Sequence, residues 1–546
     1  MRSGRVIVNR ASGLVISQIV LLVGAMGCSK AAEPGSSAPG VNTPVGPTSP
    51  GTGVAGSAPT GTQTGRAGTS GSAATTPSGG VGVTPVAGSG AKPGTPGDVG
   101  VAGSGPATGA AGAVATAGGG APPVGDASVD WPMMGYDPGS TYFNKAETTI
   151  TKDNVASMEV LWTADLGGNV LGGALQVGDK MYATGPGAVF GFDAASGMQL
   201  WKTTAASSST LGYANGMLYL HQTSGNLTAF NAADGKMLWN VPSDASGNDG
   251  SSSAIPVGGI VLVGGANGPV ELTAGVYRGF MAALDGMTGA KKWTEFTVPE
   301  GSTGASFWST ASASMEDGAV YGGTGNNYGP PATDTSDSLI AFDFATGKIK
   351  WKYQRVMDDT FPSNLTAPDS DFGNNPVVYE AMVGGVMEKL VAGATKYGYV
   401  VALKRATGEL LWKRDICKMG SADGNQGLFT NFSFSGKGLV GACNEGGPAT
   451  LTSLDPATGD MQWTRPLPGR VFGRMAFANG VGFVGTGEAV EGFDADTGVL
   501  IKSFPSKGTV ASTITISRGR VTFGDGIAWL PAGLVAGSTL TVLGLK

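Results

Sequence analysis

The stretch FDFATGKIKW, residues 342–351, decides the fold of this chain. Asp343 can cap a tight turn through its side chain, and Gly347 can adopt the positive φ that a bulged turn requires. Apolar residues lie before the turn, and Trp351 follows Gly347 by four positions. The stretch is therefore typical of a β-hairpin.

The same pattern recurs along the chain, with an apolar residue, Asp, a Gly four positions after the Asp, and a Trp four positions after the Gly. The complete or nearly complete copies are residues 192–201, 230–239, 284–293, 342–351, 403–412 and 454–463. A further copy, 493–501, has lost its Trp, and residues 160–162 keep only the end of a first copy. Together these make eight units.

The period of the pattern indicates the architecture. Successive terminal Trp residues lie 38 to 61 positions apart, and alternating apolar runs such as residues 181–183 and 259–263 precede the hairpins. Self-similarity at this period in a β pattern is typical of a propeller. We expect an all-β fold, an eight-bladed β-propeller of four-stranded antiparallel blades over residues 128–546. Each Trp is expected to pack between neighbouring blades and to have no catalytic role.

The first 127 residues have a different composition. Arg2, Arg5 and Arg10 precede a short apolar run, and residues 25–28 are similar to a lipoprotein cleavage box, so residues 1–28 are predicted to be a signal peptide with Cys28 lipidated. Ordinary secretion is the alternative. Residues 29–127 are rich in Gly, Ala, Ser, Thr and Pro and are predicted to be a disordered tether. The expected location is the cell envelope, as an outer-membrane lipoprotein that is periplasmic or surface-exposed.

Charge and ligand counts exclude several functions. The net charge of −6 and the 14% of charged residues argue against a nucleic-acid partner. The chain has one His, His221, and three Cys, too few for a Cys/His zinc site, and it lacks the C-x-x-C-H motif of covalent haem. His221 lies in a strand-like run and is expected to be an ordinary strand residue.

Beyond the repeat, six segments in order resemble the quinoprotein alcohol dehydrogenases, which bind pyrroloquinoline quinone (PQQ). The repeat itself also resembles that of outer-membrane assembly scaffold lipoproteins, which bind no cofactor. The segments that resemble the dehydrogenases are WPMMGYD from 131 with TYFN from 141, GPVE from 268 with YRGF from 277, FWS from 307, TGN from 324, DSDFG from 369 and TKYG from 395.

This resemblance implies a role for particular residues. Trp308 corresponds to an aromatic platform under the quinone, and Lys396 and Arg278 to further cofactor contacts. Glu271 and Asn326 correspond to calcium ligands, which suits a hard cation. Asp369 or Asp371 corresponds to the catalytic base, with Lys396 beside the quinone oxygens, and the other Asp would be a further cation ligand.

The resemblance implies a PQQ- and Ca²⁺-dependent alcohol dehydrogenase, with a lanthanide as the alternative cation. The expected substrate is a small or polymeric alcohol, and the electrons would pass to a separate acceptor such as a cytochrome c. Ser370 between the two Asp residues and the absence of a vicinal Cys pair depart from many members. The Asp-Phe-Gly run looks most like the polyvinyl-alcohol dehydrogenase branch.

Two other functions remain open at the level of sequence. One is a non-enzymatic propeller scaffold for outer-membrane protein assembly or other protein binding, and the other is a degenerate quinoprotein without turnover. Cys417 and Cys443 lie 26 positions apart. In an exported protein they can form a disulfide, and two free thiols are the alternative.

Overall fold

The computed structural model describes residues 129–207, 209–244, 252–265, 277–361, 370–417, 426–428, 432–527 and 534–546. The predicted signal peptide with Cys28, the predicted tether, Glu271 and Asp369 lie outside the described residues. Among the described residues, no helix combines the length and the apolar character needed to cross a bilayer.

The described residues form 33 strands and one short 3-10 helix, Val155–Ser157. The strands of the first half are β1 (Glu159–Asp165), β2 (Ala174–Val177), β3 (Lys180–Gly185), β4 (Ala188–Asp193), β5 (Gln199–Thr204), β6 (Gly212–Ala214), β7 (Met217–His221), β8 (Asn226–Asn231), β9 (Met237–Pro242), β10 (Ile255–Val257), β11 (Ile260–Gly265), β12 (Phe280–Asp285), β13 (Lys291–Phe296), β14 (Ser312–Ser314), β15 (Ala319–Gly323), β16 (Ser338–Asp343) and β17 (Ile349–Gln354). Those of the second half are β18 (Val377–Val383), β19 (Val386–Ala394), β20 (Tyr399–Lys404), β21 (Leu410–Asp415), β22 (Gln426–Leu428), β23 (Ser433–Phe434), β24 (Leu439–Glu445), β25 (Ala449–Leu454), β26 (Met461–Pro466), β27 (Ala476–Ala478), β28 (Val481–Thr486), β29 (Ala489–Asp494), β30 (Leu500–Pro505), β31 (Thr515–Ser517), β32 (Arg520–Gly524) and β33 (Thr539–Gly544).

These strands form eight antiparallel sheets, which confirms the predicted eight-bladed propeller. Blades 1 to 5 are the consecutive strands β2–β5, β6–β9, β10–β13, β14–β17 and β18–β21. Blade 6 follows the path β22-β24-β25-β26, with β23 also paired to β24, and blade 7 is β27–β30. The first strand of each blade is the innermost and lines the central channel.

Blade 8 is built from both ends of the propeller. Its order is β31-β32-β33-β1, so strand β1 pairs with β33 as the outermost strand, from Glu159 opposite Gly544 to Asp165 opposite Thr539. An ion pair between Lys546 and Glu159 lies at this junction. The incomplete first copy of the repeat is therefore the missing end of the last blade, a closure that the sequence pattern did not reveal.

In seven of the eight blades a Trp packs on the turn Gly of the next blade, which confirms the predicted inter-blade role. Gly459 has φ +73°, and a Cβ there would lie 2.5 Å from Cε3 of Trp412 in the preceding blade. The indole N–H of Trp412 donates to the carbonyl oxygen of Pro456 in the same turn, at 2.9 Å. The same Trp–Gly contact recurs at every described copy of the turn: Gly197 with Trp162, Gly235 with Trp201, Gly289 with Trp239, Gly347 with Trp293, Gly408 with Trp351 and Gly498 with Trp463.

The copy of the repeat without Trp belongs to blade 7, which lies next to blade 8, and blade 8 lacks the Gly turn. Across from Gly492, where the other copies place their Trp, the structure has Lys502, one position beyond Ile501. The Nζ of Lys502 donates to the carbonyl oxygens of Ala156 and Met158, at 2.8 and 2.7 Å. The outermost strand of blade 8 is β1, so this blade has no Gly turn at the equivalent position. Blade 7 faces the end of the 3-10 helix there, and the ammonium group of a Lys can donate to its free carbonyl oxygens.

A plug segment, residues 131–144, crosses the central channel. Its backbone and Asn144 side chain hydrogen-bond to the first strand of six blades and to β23 in blade 6. These contacts are Trp131 with Gln176, Pro132 with Tyr213, Pro138 with Ala313, Gly139 with Val378, Thr141 with Phe434, Tyr142 with Phe477 and Asn144 with Ile516. Since these partners surround the channel axis, the segment divides the channel, and Trp131 and Tyr142 are completely buried in it.

His221 is a buried strand residue, as predicted. It ends β7, and its ring nitrogens lie 3.2 Å from the carbonyl oxygen of Ser252 and 3.2 Å from the hydroxyl of Ser243. Burial lowers the pKa of His221 to about 4. The folded protein therefore holds a neutral imidazole.

We expect Gly459→Ala to lower the free energy of unfolding by about 2–4 kcal/mol, because it adds a clash with Trp412 to the cost of a left-handed backbone. Gly216→Ala is the matched control, since Gly216 has φ +77° and a Cβ added there would meet nothing within 4 Å. It should cost only about 1–2 kcal/mol. Denaturant unfolding measures both, and equal losses would contradict the inter-blade role.

We expect His221 to make the fold less stable as the pH falls from about 6.5 to about 4. In this window the unfolded chain binds the proton more readily than the folded chain, so acid favours unfolding by up to about 3 kcal/mol. Unfolding curves of wild type and His221→Gln at several pH values measure the effect. The difference between the two proteins should shrink as the pH falls, and a constant difference would refute the assignment.

Candidate active site

Four of the predicted site residues lie at one end of the central channel, on blades 4 and 5. Trp308 precedes the innermost strand β14, and Asn326 follows the second strand β15. Asp371 and Lys396 have the equivalent positions around β18 and β19 in the next blade. Because the start of an innermost strand and the end of its antiparallel neighbour lie at the same edge, the four residues share one face of the propeller.

Asp371 is the centre of the cluster. Its Oδ2 accepts hydrogen bonds from Nε1 of Trp308 at 2.8 Å and from Nζ of Lys396 at 2.7 Å. Its Oδ1 accepts from the backbone N–H of Asn326 at 3.0 Å. The side chains of Asp371 and Lys396 are 4% and 14% exposed, so the ion pair is buried and its Coulomb attraction is weakly screened.

Backbone contacts hold these side chains in place. The backbone N–H of Lys396 donates to the carbonyl oxygen of Asp371 at 3.0 Å, so the two chain segments are tied together. Gly373 allows the Trp308 ring to lie against the backbone, since a Cβ at this position would overlap the indole. The Nζ of Lys396 lies 5.1 Å from the centroid of the Trp308 ring, within range of a cation–π contact.

A disulfide supports the turn that carries Lys396. Cys417 and Cys443 are joined, with their Cα atoms 5.4 Å apart. The bond connects the end of β21 to the buried strand β24 in the next blade. The Gly398 turn, two residues after Lys396, packs against the sulfur of Cys417 and has φ +75°. The pairing that the sequence left open therefore lies directly behind the site.

Asn326 can offer an oxygen ligand at the same cluster. It is 1% exposed, and its Nδ2 donates to the carbonyl oxygens of Phe361 and Asn327. The side-chain nitrogen is therefore engaged by carbonyl groups, which leaves the side-chain oxygen as the atom that can bind a cation.

Asp359 is a second carboxylate of the site that the sequence analysis missed. It is 1% exposed, and its Oδ1 accepts from the backbone N–H of Phe361 at 2.9 Å. Its Oδ2 is buried and has no hydrogen-bond donor among the described residues. Burial raises the pKa of Asp359, and the charge of Asp371 raises it further. The Asp358-Asp359 doublet between blades 4 and 5 is the signal that could have found it.

The charges of the cluster fit a bound cation. The ion pair of Asp371 with Lys396 is neutral, and Asp359 adds a further buried carboxyl group on which the charges of both residues act. Oxygen donors of this kind suit calcium or a similar hard cation. The described residues contain no group of three or more His, Cys, Asp or Glu side chains arranged around one metal position. The predicted ligands Glu271 and Asp369 lie outside the described residues.

Two family models match this chain. One, described as "Outer membrane protein assembly factor BamB", matches residues 146–328 and 396–527, more than half of the chain. The other, described as "Glucose/ethanol/alcohol dehydrogenase, beta-propeller domain", matches residues 248–418, which include the Trp308, Asn326, Asp371 and Lys396 cluster. The chain belongs to the quinoprotein (PQQ-type) β-propeller family.

Relatives of this quinoprotein propeller are named as dehydrogenases. Polyvinylalcohol dehydrogenase of Sphingopyxis sp. (strain 113P3) is 25% identical over 370 residues, which cover 57% of this chain and 55% of that protein. Quinohemoprotein alcohol dehydrogenase of Comamonas testosteroni is 24% identical over 348 residues, with 54% and 48% covered. The chain spans about half the length of the curated relatives it matches.

Solved structures share the fold of the quinoprotein propeller. The crystal structure of the quinohemoprotein alcohol dehydrogenase from Comamonas testosteroni has a TM-score of 0.65 at 18% identity, with 77% of this chain and 81% of that chain covered. A europium-containing methanol dehydrogenase has a TM-score of 0.64 at 18% identity, with 76% and 98% covered.

Arg278 of the quinoprotein propeller has side-chain contacts within blade 3. Its Nε and Nη2 donate to the carbonyl oxygen of Val298, at 2.9 and 2.6 Å. Its guanidinium also lies 4.0 Å from the centroid of the Phe296 ring. These contacts hold it within blade 3, and its role as a cofactor contact stays a prediction.

We expect removal of either partner of the buried ion pair to destabilise the protein. Asp371→Asn and Lys396→Met should each lower the free energy of unfolding by roughly 3 kcal/mol, because each leaves a buried polar group unpaired. The double variant should lose less than the sum. Asp460→Asn is the control, since it breaks the exposed pair with Arg414 and should cost below about 1 kcal/mol. Denaturant unfolding of wild type, both single variants and the double variant measures these losses. If the loss of the double variant equals the sum of the two single losses, the two side chains do not interact.

Proposed function

We propose that this chain is an exported PQQ- and cation-dependent dehydrogenase that oxidises an alcohol. The observation that carries the proposal is the convergence of Trp308, Asn326 and Lys396 on Asp371 in one buried cluster. Burying a charged side chain costs free energy, even when the charge is paired. A scaffold would therefore have no need to bury this set of charged and polar side chains at a single end of the channel.

The residues present suit the cofactor and its cation. When bound, PQQ supplies the two-electron redox chemistry of the reaction. Trp308 offers an aromatic face on which a flat ring can stack, and Lys396 offers a positive donor to an anionic oxygen. The side-chain oxygen of Asn326 and the unpartnered oxygen of Asp359 would hold calcium or a lanthanide, together with Glu271.

Asp371 is the residue that we assign to accept the hydroxyl proton of the alcohol. Its carboxylate is the acidic group at the centre of the cluster, and a carboxylate held in place can act as a general base. The indole N–H of Trp308 fixes the orientation of the same oxygen. Burial of the cluster excludes bulk water, which strengthens each electrostatic contact within it.

The substrate class, the acceptor and the location follow as parts of the same proposal. The relatives named polyvinylalcohol dehydrogenase support an alcohol, small or polymeric, as the substrate. The chain has no C-x-x-C-H motif, so a separate acceptor such as a cytochrome c would receive the electrons. The predicted signal peptide and Cys28 support a lipid-anchored protein of the cell envelope, with the outer membrane as the proposed site.

A propeller scaffold remains the second candidate, because the larger family match is described as an assembly factor. Both functions use the same blades and the same inter-blade Trp residues. They differ in the cluster around Asp371, which only the dehydrogenase requires.

A cofactor titration of the full chain separates the two functions. We expect PQQ to quench Trp fluorescence with a Kd in the micromolar range or below, and we expect calcium to tighten the binding at least tenfold. Trp308→Leu should weaken binding by at least tenfold, since the stacking face is lost.

Asp371→Asn should keep much of the PQQ binding and lose turnover of an alcohol with an artificial acceptor dye. Asp460→Asn, on the rim of the propeller, is the control and should match wild type in both assays. Absence of PQQ binding by wild type at tens of micromolar, with or without calcium, would leave the scaffold function in its place.

A further inference from the structure

A cleft lies at the outer strands of blades 4 and 5, on the face of the propeller that carries the Asp371 cluster. Its volume is about 490 Å³, a size that suits a small molecule, and it is lined by Arg355, Tyr399, Lys413, Arg414 and Asp415. Arg355 directly follows β17, Tyr399 begins β20, and the other three residues end β21. Because the fourth strand of a blade ends at the edge where the first strand begins, the cleft and the candidate active site share one face.

The lining of the cleft carries more positive than negative charge. Three of the five lining residues are cations and one is an acid, although the chain as a whole has a net charge of −6. Arg414 is engaged by blade 6, since it donates to the carbonyl oxygen of Gly459 at 2.8 Å and pairs with Asp460 at 2.7 Å. Arg355 and Lys413 have no ion pair with a described residue. These two cations are therefore the groups that a ligand can use.

The guanidinium of Arg355 is held by an aromatic ring. It lies 4.0 Å from the centroid of the Tyr399 ring, within range of a cation–π contact. Tyr399 is itself buried, and its hydroxyl shares a hydrogen bond of 3.1 Å with the hydroxyl of Tyr353 in blade 4. A guanidinium that stacks on a ring keeps its N–H groups in the ring-parallel plane, where they can form a two-pronged hydrogen bond with a carboxylate or a phosphate group.

Lys413 differs from the Lys residues at the same position of the repeat. In three blades a Lys directly follows the inter-blade Trp. Lys202 of blade 1 lies 4.9 Å from the centroid of the Phe190 ring, and Lys352 of blade 4 pairs with Asp334. Lys413 lines the cleft and has neither kind of partner among the described residues. Its ammonium group is therefore available to an anion.

The cleft adjoins the turn that carries Lys396. The backbone N–H of Thr395 donates to the carbonyl oxygen of Tyr399 at 2.9 Å, and the backbone N–H of Ile416, next to Asp415, donates to the carbonyl oxygen of Gly398 at 2.9 Å. These bonds join the lining of the cleft to residues 395–399. A molecule in the cleft would therefore lie beside this turn.

We propose that the cleft binds a small molecule through an oxyanion, a carboxylate or a phosphate group, held by Arg355 and Lys413. This inference does not depend on the proposed function. Asp415 pairs with Tyr399 across β20 and β21 and adds one negative charge to the same lining. Its carboxylate repels an anion, and it can accept a hydrogen bond from a hydroxyl or amino group of the ligand.

Isothermal titration calorimetry of the full chain at low ionic strength tests the cleft, with citrate and inorganic phosphate as anionic probes and glycerol as the neutral probe. We expect a Kd below about 1 mM for at least one anion and no detectable binding of glycerol. Arg355→Gln and Lys413→Gln should each weaken anion binding by about fivefold or more, because each removes a positive charge from the lining. Asp415→Asn should tighten it by about twofold or more, because it removes a negative charge.

Lys291→Gln is the matched control. Lys291 is exposed in blade 3 and has no ion pair with a described residue, so the variant makes the same change in net charge away from the cleft. It should bind both anions as wild type does. Lys413 is likewise exposed, and its replacement should leave the melting temperature nearly unchanged. The Lys413 result therefore decides the proposal even if Arg355→Gln fails to fold.

The two anions identify the source of the oxyanion, since tighter binding of citrate assigns the cleft to carboxylates and tighter binding of phosphate assigns it to phosphate groups. If neither anion binds at about 10 mM, the proposal is wrong. It is also wrong if Lys413→Gln binds as tightly as wild type. If Lys291→Gln weakens binding as much as Lys413→Gln does, the anions respond to the net charge of the protein and the cleft is not their site.

Discussion

The contact of a Trp with the turn Gly of the next blade, made by seven of the eight blades, is the constraint on which this propeller depends. A Gly is required there for two reasons that act together, the positive φ of the turn and the room for an indole ring. The indole N–H often adds a hydrogen bond to a carbonyl in the same turn, as Trp351 does with Arg405 at 2.9 Å. The blades are thereby joined side by side at nearly fixed spacing, and the one copy with Lys502 marks the place where the ring closes by a different contact.

A ring of this kind fixes where each innermost strand begins. The residues of the candidate site lie next to the ends of these strands. Trp308 and Asp371 precede innermost strands of adjacent blades, and Lys396 follows the strand beside one of them. Their distances are therefore set by the ring and not by the loops alone, which is how a site assembled from separate stretches can keep hydrogen bonds as short as 2.7 and 2.8 Å. The disulfide of Cys417 with Cys443 adds a covalent link between the same blade and its neighbour.

The repeat was enough to predict the propeller, the number of blades and the packing of the Trp residues, because each of these depends on local turn chemistry that recurs. The closure by strand β1 escaped prediction, since it joins the two ends of the propeller and leaves no repeating signal. Trp308, Asp371 and Lys396 could be placed from motif order. Asp359 was missed, because an Asp in a loop is usually solvated, and only the fold reveals that this one is buried near Asp371 and Lys396.

Asp359 extends the argument from fold to function beyond the motifs of the sequence. It is buried, the charges of Asp371 and Lys396 act on it, and its Oδ2 has no hydrogen-bond donor among the described residues. If the protein were only a scaffold, replacing a buried acid of this kind by an apolar residue of similar size would cost little or would stabilise it. A second buried carboxyl group beside Asp371 suits instead a bound cation, and the stability lost in the empty protein is recovered on binding.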